Sequence, residues 1–305
     1  MQPISMQSRL TYSLCVLGVA LGILVACSAP DASDVLSNVP GPDNELATEE
    51  QAAAADKADA IRIHRLNMQV SNVYLIESAD SLVLVDAGMP FSDRIIVPRI
   101  EDFADKPLRL IFITHAHLDH YGGAAAVREK TGAPIAIHPA DAQSMIEGKT
   151  PLGSIRDWDW VEPTMPLVEQ WAQAPLSPTE PDVLLEDGDD LRAWGLTDAV
   201  VIHTPGHTPG STTLLVDGKH ALVGDLIATT GEARAQRTYA DNWDELAASL
   251  RRVQEMEPEI VYPGHGPPLT QVEILKTLRA QYVLDPDEAD ATPVQDESSE
   301  EETDQ

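Results

Sequence analysis

Six consecutive residues concentrate the chemistry of this chain: His115-Ala116-His117-Leu118-Asp119-His120. Three imidazoles and a carboxylate in so short a run converge on little other than a metal ion. Side chains at i and i+2 leaving a strand point the same way, so His115 and His117 can share one ion. Asp119 and His120 lie around the turn and can face a second. Three further residues of ligand type follow. His207 sits in His203-Thr204-Pro205-Gly206-His207-Thr208-Pro209-Gly210, Asp225 follows Gly224, and His265 sits in Tyr262-Pro263-Gly264-His265-Gly266. Imidazole and carboxylate without thiolate suit Zn2+, with Fe or Mn compatible. The two cysteines, Cys15 and Cys27, both fall in the first thirty residues, which excludes a disulfide scaffold and leaves no thiol nucleophile to a folded region.

Each of these residues follows an apolar run that reads as a strand. Leu108–Thr114 is continuously apolar, as a buried strand should be, and feeds His115 directly. Ala199–His203 precedes the His207 loop. Ser211–Val216 and Lys219–Val223, joined by Asp217-Gly218, predict a hairpin that ends just before Asp225. Glu259–Tyr262 leads to His265. Upstream, Ile61–Arg65, Met68–Glu77 and Ser81–Asp86 predict a meander, and Pro134–His138 a short strand. Helical spacing marks Phe91–Phe103 (with Pro98 as an interruption), Gly122–Thr131, Ala140–Ile146, Trp243–Met256 and Gln271–Tyr282. Strands with interspersed helices over residues 61–284 predict one layered α/β domain, with its ligands on loops at strand ends.

The joint pattern of His115 to His120, His207, Asp225 and His265 resembles the metallo-β-lactamase superfamily in its two-metal form, with a glyoxalase II-like ligand set. Asp86, in Leu84-Val85-Asp86-Ala87-Gly88, matches that family's first motif. The resemblance covers residues 61–283 and implies a four-layer αββα sandwich. It also implies two zinc ions: His115, His117 and His207 on one, Asp119, His120 and His265 on the other, and Asp225 bridging. Asp86 would brace the ligands by hydrogen bonds from outside. The implied reaction is attack by a hydroxide shared between the ions on a small-molecule ester, thioester, lactone or amide, with Asp119 orienting the nucleophile.

Within the superfamily the match is uneven. Glyoxalase II-type thioesterases append a helical glutathione-binding domain, for which the residues after His265 offer little room. Subclass B3 β-lactamases share the histidine run and the segment Gly206–Ser211 but lack the bridging acid, here Asp225. Acyl-homoserine lactonases carry a tyrosine three residues beyond that acid, where this chain has Ala228. A general metallohydrolase remains, with B3-like β-lactamase activity as one alternative. The other is a persulfide dioxygenase with one iron, whose ligands would map to His115, His207 and Asp225.

The amino terminus reads as an address. Arg9 precedes the apolar stretch Leu10–Ala26, and Leu24-Val25-Ala26-Cys27 resembles the lipobox of bacterial lipoprotein signals. The expectation is a signal peptide over 1–26, a lipid on Cys27, and an exported protein on the outer membrane or periplasmic side of a diderm host, held by that lipid alone. Residues 27–60 read as a disordered tether and 285–305 as an acidic disordered tail. The formal charge of −30 argues against nucleic acid as a partner, since phosphate binding is driven by Lys/Arg. His64, His138, His203 and His220 lack companion ligands in sequence and read as structural. Residues 147–182 hold Trp158, Trp160, Met165 and Trp171, either a lid over the metals or aromatics packed on the core.

Overall fold

Alternation along the strands decides which side chain enters which layer. The computed structural model describes residues 61–103, 105–155, 170, 173–174, 176–229, 234–236 and 239–270. Its first sheet runs β1 (Arg62–Asn67), β2 (Asn72–Glu77), β3 (Leu82–Val85), β4 (Leu108–Phe112), β5 (Ile135–Ile137) and, at the far edge, Val183–Leu184. The expected meander is β1 to β3, antiparallel throughout; from β3 outward the strands are parallel. A two-residue pair, β6 (Ser154–Ile155) with Tyr239–Ala240, stands apart, so Val183–Leu184 is β7 in chain order.

The second sheet is built around the predicted hairpin. Ala199–His203 forms β8, Thr212–Val216 β9 and His220–Ala228 β10, with Arg234–Ala235 (β11) on its edge. Tyr239–Ala240 is β12. Ile260–His265 (β13) runs parallel to β10 and Leu269–Thr270 (β14) closes the sheet. The hairpin expectation needs correction at one end. β10 does not stop at Val223: after its antiparallel pairing with β9 ends at Leu222, it continues along β13 through Gly224 and Asp225, with register shifts at Gly224. Asp225 is therefore a strand residue, and His265 is the last residue of its strand rather than part of a loop beyond it.

Three apolar clusters make the layers. Val73, Leu75, Leu82, Leu84, Ile111 and Ile135 point to one side of the first sheet, and there meet α1 (Asp93–Glu101), the single-turn α2 (Leu118–Tyr121), α3 (Ala124–Thr131) and α4 (Pro139–Glu147) through Ile96, Leu118, Val127 and Met145. The residues between them in sequence, Tyr74, Ile76, Val83, Val85, Leu110 and Phe112, point the other way. They pack on Val201, Leu214, Leu222 and Tyr262 of the second sheet. Ala221, Val223 and Val261 then face outward onto Leu246, Leu250 and Val253 of α5 (Trp243–Glu255). Period-two alternation through both sheets thus gives helices, sheet, sheet, helix, the expected αββα order. Pro98 lies inside α1 without splitting it. The helix expected over Gln271–Tyr282, the expected signal, tether and acidic tail, and Trp158, Trp160, Met165 and Trp171 lie outside the described residues. Among the described residues no helix is long and apolar enough to cross a membrane.

Candidate metal centre

The strand ends bring seven side chains to one edge of the paired sheets. His115 and His117 leave β4, Asp119 and His120 lie on α2, His207 comes from the β8–β9 connection, and Asp225 and His265 come from β10 and β13. They fall into two groups, His115, His117, His207 and Asp225, and Asp119, His120 and His265. These are the seven residues that the sequence singled out as candidate ligands. Within each group one ligand-type atom from every residue lies within 4.8 Å of the others. Six are buried; His265, with 22% of its side chain exposed, marks the side nearer solvent.

In the first group His115 Nε2 and His207 Nε2 stand 3.1 and 3.0 Å from His117 Nδ1. Asp225 joins the groups: its Oδ2 lies 3.5 Å from His207 Nε2 and 3.1 Å from His265 Nε2, while Oδ1 lies 3.3 Å from His120 Nε2. Asp119 Oδ2 is 3.3 Å from His265 Nε2. Backbone close to Asp225 is possible only because residue 264 is glycine; a Cβ there would collide with Asp225 Oδ1 and His120 Cε1.

The outer ring nitrogens assign the tautomers. His117 Nε2 donates to the Pro151 carbonyl at 2.6 Å, and His265 Nδ1 donates to the Val70 carbonyl at 2.6 Å. His120 Nδ1 donates to Asp86 Oδ2 at 2.8 Å. His115 Nδ1 meets Thr114 Oγ1, whose own proton goes to the Asp86 carboxylate, so this nitrogen donates as well. Carbonyls and carboxylates only accept, hence in these four rings, when neutral, the protons sit outside and the inward nitrogens carry bare lone pairs. Lone pairs about 3 Å apart repel unless a cation lies among them. Among the described residues His120 Nε2, Asp225 Oδ1 and the outer His207 Nδ1 are buried with no hydrogen-bond partner, a costly arrangement that a bound cation relieves for the first two. The donor set fits a metal.

Electrostatics points the same way. Burial pushes His115, His117 and His207 down, the last to about 3, so these rings stay neutral. For His120 and His265 burial also pulls downward, but the carboxylates outweigh it: Asp225, Asp119 and Asp86 lift His120, and Asp225 and Asp119 lift His265 to about 9. The carboxylate of Asp225 is held well below its ordinary range; burial opposes this, and His265 and His120 overcome it. The second group is thus a place where the fold favours positive charge.

The family model described as the Metallo-beta-lactamase superfamily matches residues 67–265, a span that runs from the end of β1 to the last ligand. The chain belongs to the metallo-beta-lactamase superfamily. It is 29% identical over 234 residues to the probable metallo-hydrolase YflN of Bacillus subtilis, covering 68% of this chain and 85% of that one. It is 26% identical over 204 residues to the probable metallo-hydrolase MJ0888 of Methanocaldococcus jannaschii, covering 64% and 87%. Among solved structures, TTHA1623 in a di-iron-bound form shares 28% identity at a TM-score of 0.53, with 71% of this chain and 98% of that one aligned. The B3 metallo-beta-lactamase BLEG-1, at 24% identity and a TM-score of 0.54 over 71% and 97%, shares the fold.

Asp86 is buried, in a left-handed backbone conformation (φ +62°), accepting from Thr114 N, Thr114 Oγ1 and His120 Nδ1. The structural histidines are elsewhere. His203 stacks on His138 with ring centroids 4.0 Å apart, His138 caps α4, His64 pairs with Glu77, and His220 lies by Tyr262. Sequence reasoning missed Tyr239, whose ring lies 5.8 and 5.4 Å from those of His117 and His207. Burial first, then Asp225 and Asp119, raises its phenol and keeps it protonated. It also missed Thr114 and Asp141. Thr114 carried a signal, being the polar end of an apolar strand directly before His115; Asp141 carried none.

Proposed function

We propose that this chain is a metallohydrolase whose site holds two divalent ions, the first on His115, His117 and His207 and the second on Asp119, His120 and His265, with Asp225 shared. The observation that carries this is the pair of ligand groups joined through Asp225, with inward nitrogens left bare by their outer partners. Ions bound there would supply a nucleophilic water at neutral pH and Lewis-acid polarisation of a carbonyl. The chain's own residues do the positioning. Asp86, Val70 and Pro151 would hold imidazoles in the ligating tautomer, Asp119 would accept a proton from the attacking water, and the protonated Tyr239 would donate to substrate oxygen. The substrate class is a small ester, thioester, lactone or amide, and zinc is the proposed metal. Iron is the second reading, supported by the di-iron form of the 28%-identical TTHA1623.

The test is metal analysis of protein purified without added metal, followed by chelation and re-addition of zinc or iron against a panel of esters, thioesters, lactones and a β-lactam. About two metal equivalents per chain, with hydrolysis lost on chelation and restored by one metal, is the expected result. Hydrolysis that survives complete metal removal would sink the proposal. One iron per chain with oxygen consumed on a persulfide would replace it with a dioxygenase.

We also propose that Cys27 carries a lipid anchoring the protein to the outer membrane or periplasmic side of a diderm host, with a small-molecule substrate and no nucleic-acid partner. Support comes from Leu24-Val25-Ala26-Cys27 directly after the apolar stretch. Cys27→Ser should accumulate as an unlipidated precursor of altered gel mobility. A mutant that fractionates and migrates as wild type refutes the anchor.

A further inference from the structure

We infer that Asp141 is a positioning residue that ties the His115–His120 segment to the His207 loop and thereby sets the geometry of the first ligand group. The inference rests on the proposal that His115, His117 and His207 hold an ion. Asp141 sits on α4, which contributes no ligand, and is 1% exposed. Its Oδ2 accepts from the backbone N–H of Ala116 at 2.8 Å and from Thr208 Oγ1 at 2.7 Å; its Oδ1 accepts from the backbone N–H of Gly210 at 2.7 Å. Ala116 separates His115 from His117, and Thr208 follows His207. One carboxylate therefore grips the backbone between two ligands of the group and the residue adjoining the third.

The surroundings are built for this grip. Ser211 Oγ lies 2.7 Å from Thr208 Oγ1 and accepts from Thr208 N at 3.0 Å, which orients the threonine hydroxyl toward Asp141. Residue 210 has no space for a side chain, since a Cβ there would stand 2.6 Å from Asp141 Cβ, Cγ and N. This accounts for the composition of Gly206-His207-Thr208-Pro209-Gly210-Ser211 around its one ligand: the threonine, second glycine and serine serve the contact with Asp141. The same helix is seated in the core through Ala142 and Met145, so the carboxylate is mounted on a fixed element. The second group has separate braces, Asp86 on His120 and the Val70 carbonyl on His265. Loss of Asp141 should therefore act on one group and spare the other.

An asparagine at 141 keeps the shape but has one accepting oxygen for donors that arrive on two. Its NH2 would face Ala116 N–H or Gly210 N–H, donor against donor. The experiment is titration of the metal-free full-length chain with Co2+ alone, read by visible absorption and by competition with a chelator, for wild type, Asp141→Asn, Thr208→Val and Thr208→Ser. Wild type should take up two equivalents. Asp141→Asn should weaken one of them by about 10–100-fold, the range typical for residues that orient ligands, and change its absorption band while the other stays as in wild type. Thr208→Val should weaken the same equivalent to a smaller extent, and Thr208→Ser, which restores the hydroxyl, should match wild type. If Asp141→Asn fails to fold, the contrast between the valine and serine variants carries the test. Two equivalents unchanged in every variant, or both weakened alike, overturn the inference and leave the metal proposal standing. A wild type that takes up no cobalt overturns both.

Discussion

Asp225→Asn should lose both metals to a chelator that wild type withstands, and its metal-dependent hydrolysis should fall to background. Its carboxylate faces both ligand groups: Oδ2 faces His207 and His265, and Oδ1 faces His120. Asparagine keeps the volume, so packing against Gly264 survives, but it removes the charge that the two proposed ions would share with the surrounding imidazoles. The metal-free protein offers a second readout. Asp225, helped by Asp119, holds His265 at about 9 against an ordinary 6.5, so between those values the folded chain keeps a proton that the unfolded chain releases. That contribution to stability is complete below 6.5 and is lost as pH rises through 9. Thermal unfolding in chelator should show this alkaline decline in wild type and a flatter profile in Asp225→Asn. A variant that retains two metals and wild-type turnover would remove Asp225 from its bridging place.

The candidate ligands were legible because imidazoles suited to a metal sit near where rigid strands end, and apolar runs followed by Gly and Pro mark such places. Leu108–Thr114 before His115 is the clearest case. The layers were legible for a related reason: Val73 to Ile76 and Leu82 to Val85 are buried on both faces, and continuous apolarity is what such strands require. The extension of β10 through Asp225 was hidden, because Gly224 looks like a strand terminator when the register shift against β13 is not visible. The outer partners were hidden more deeply. The carbonyls of Val70 and Pro151 are backbone, which any residue supplies, so no letter of the sequence announces them. Asp141 falls within a predicted helix, where a carboxylate is ordinarily a solvated surface charge. Only the tertiary approach of Gly210 and Ala116 makes it a buried acceptor. Side chains that bind a metal leave a pattern in sequence; groups that orient them leave little.

Asp86→Asn should separate those two roles within one site, by changing a tautomer without changing a ligand. Asp86 is 2% exposed and adopts φ +62°, a conformation asparagine tolerates, so the backbone should hold. Its Oδ1 accepts from Thr114 N at 2.8 Å, and Oδ2 accepts from His120 Nδ1 at 2.8 Å. The Thr114 N–H can only donate, so the asparagine oxygen must stay on that side and its NH2 must face His120. Nδ1 is then forced to accept, and the ring proton moves to Nε2, the atom that faces Asp119 and Asp225. A protonated Nε2 cannot ligate; it would donate to Asp225 Oδ1 instead. The expected result is one tightly held metal rather than two. Turnover should fall by about a hundredfold to ten-thousandfold, the scale on which misplaced ligand partners and wrong histidine tautomers act. Asp86→Ala is the poorer probe. It takes the acceptor from three buried donors, Thr114 N, Thr114 Oγ1 and His120 Nδ1, at about 1–3 kcal/mol for each left unpaired, so loss of the fold would mask loss of the site. Metal stoichiometry and nitrogen NMR of the His120 ring in Asp86→Asn read the effect directly. Two metals with the proton still on Nδ1 would show that Thr114 and the packing around His120, rather than the Asp86 charge, choose the tautomer.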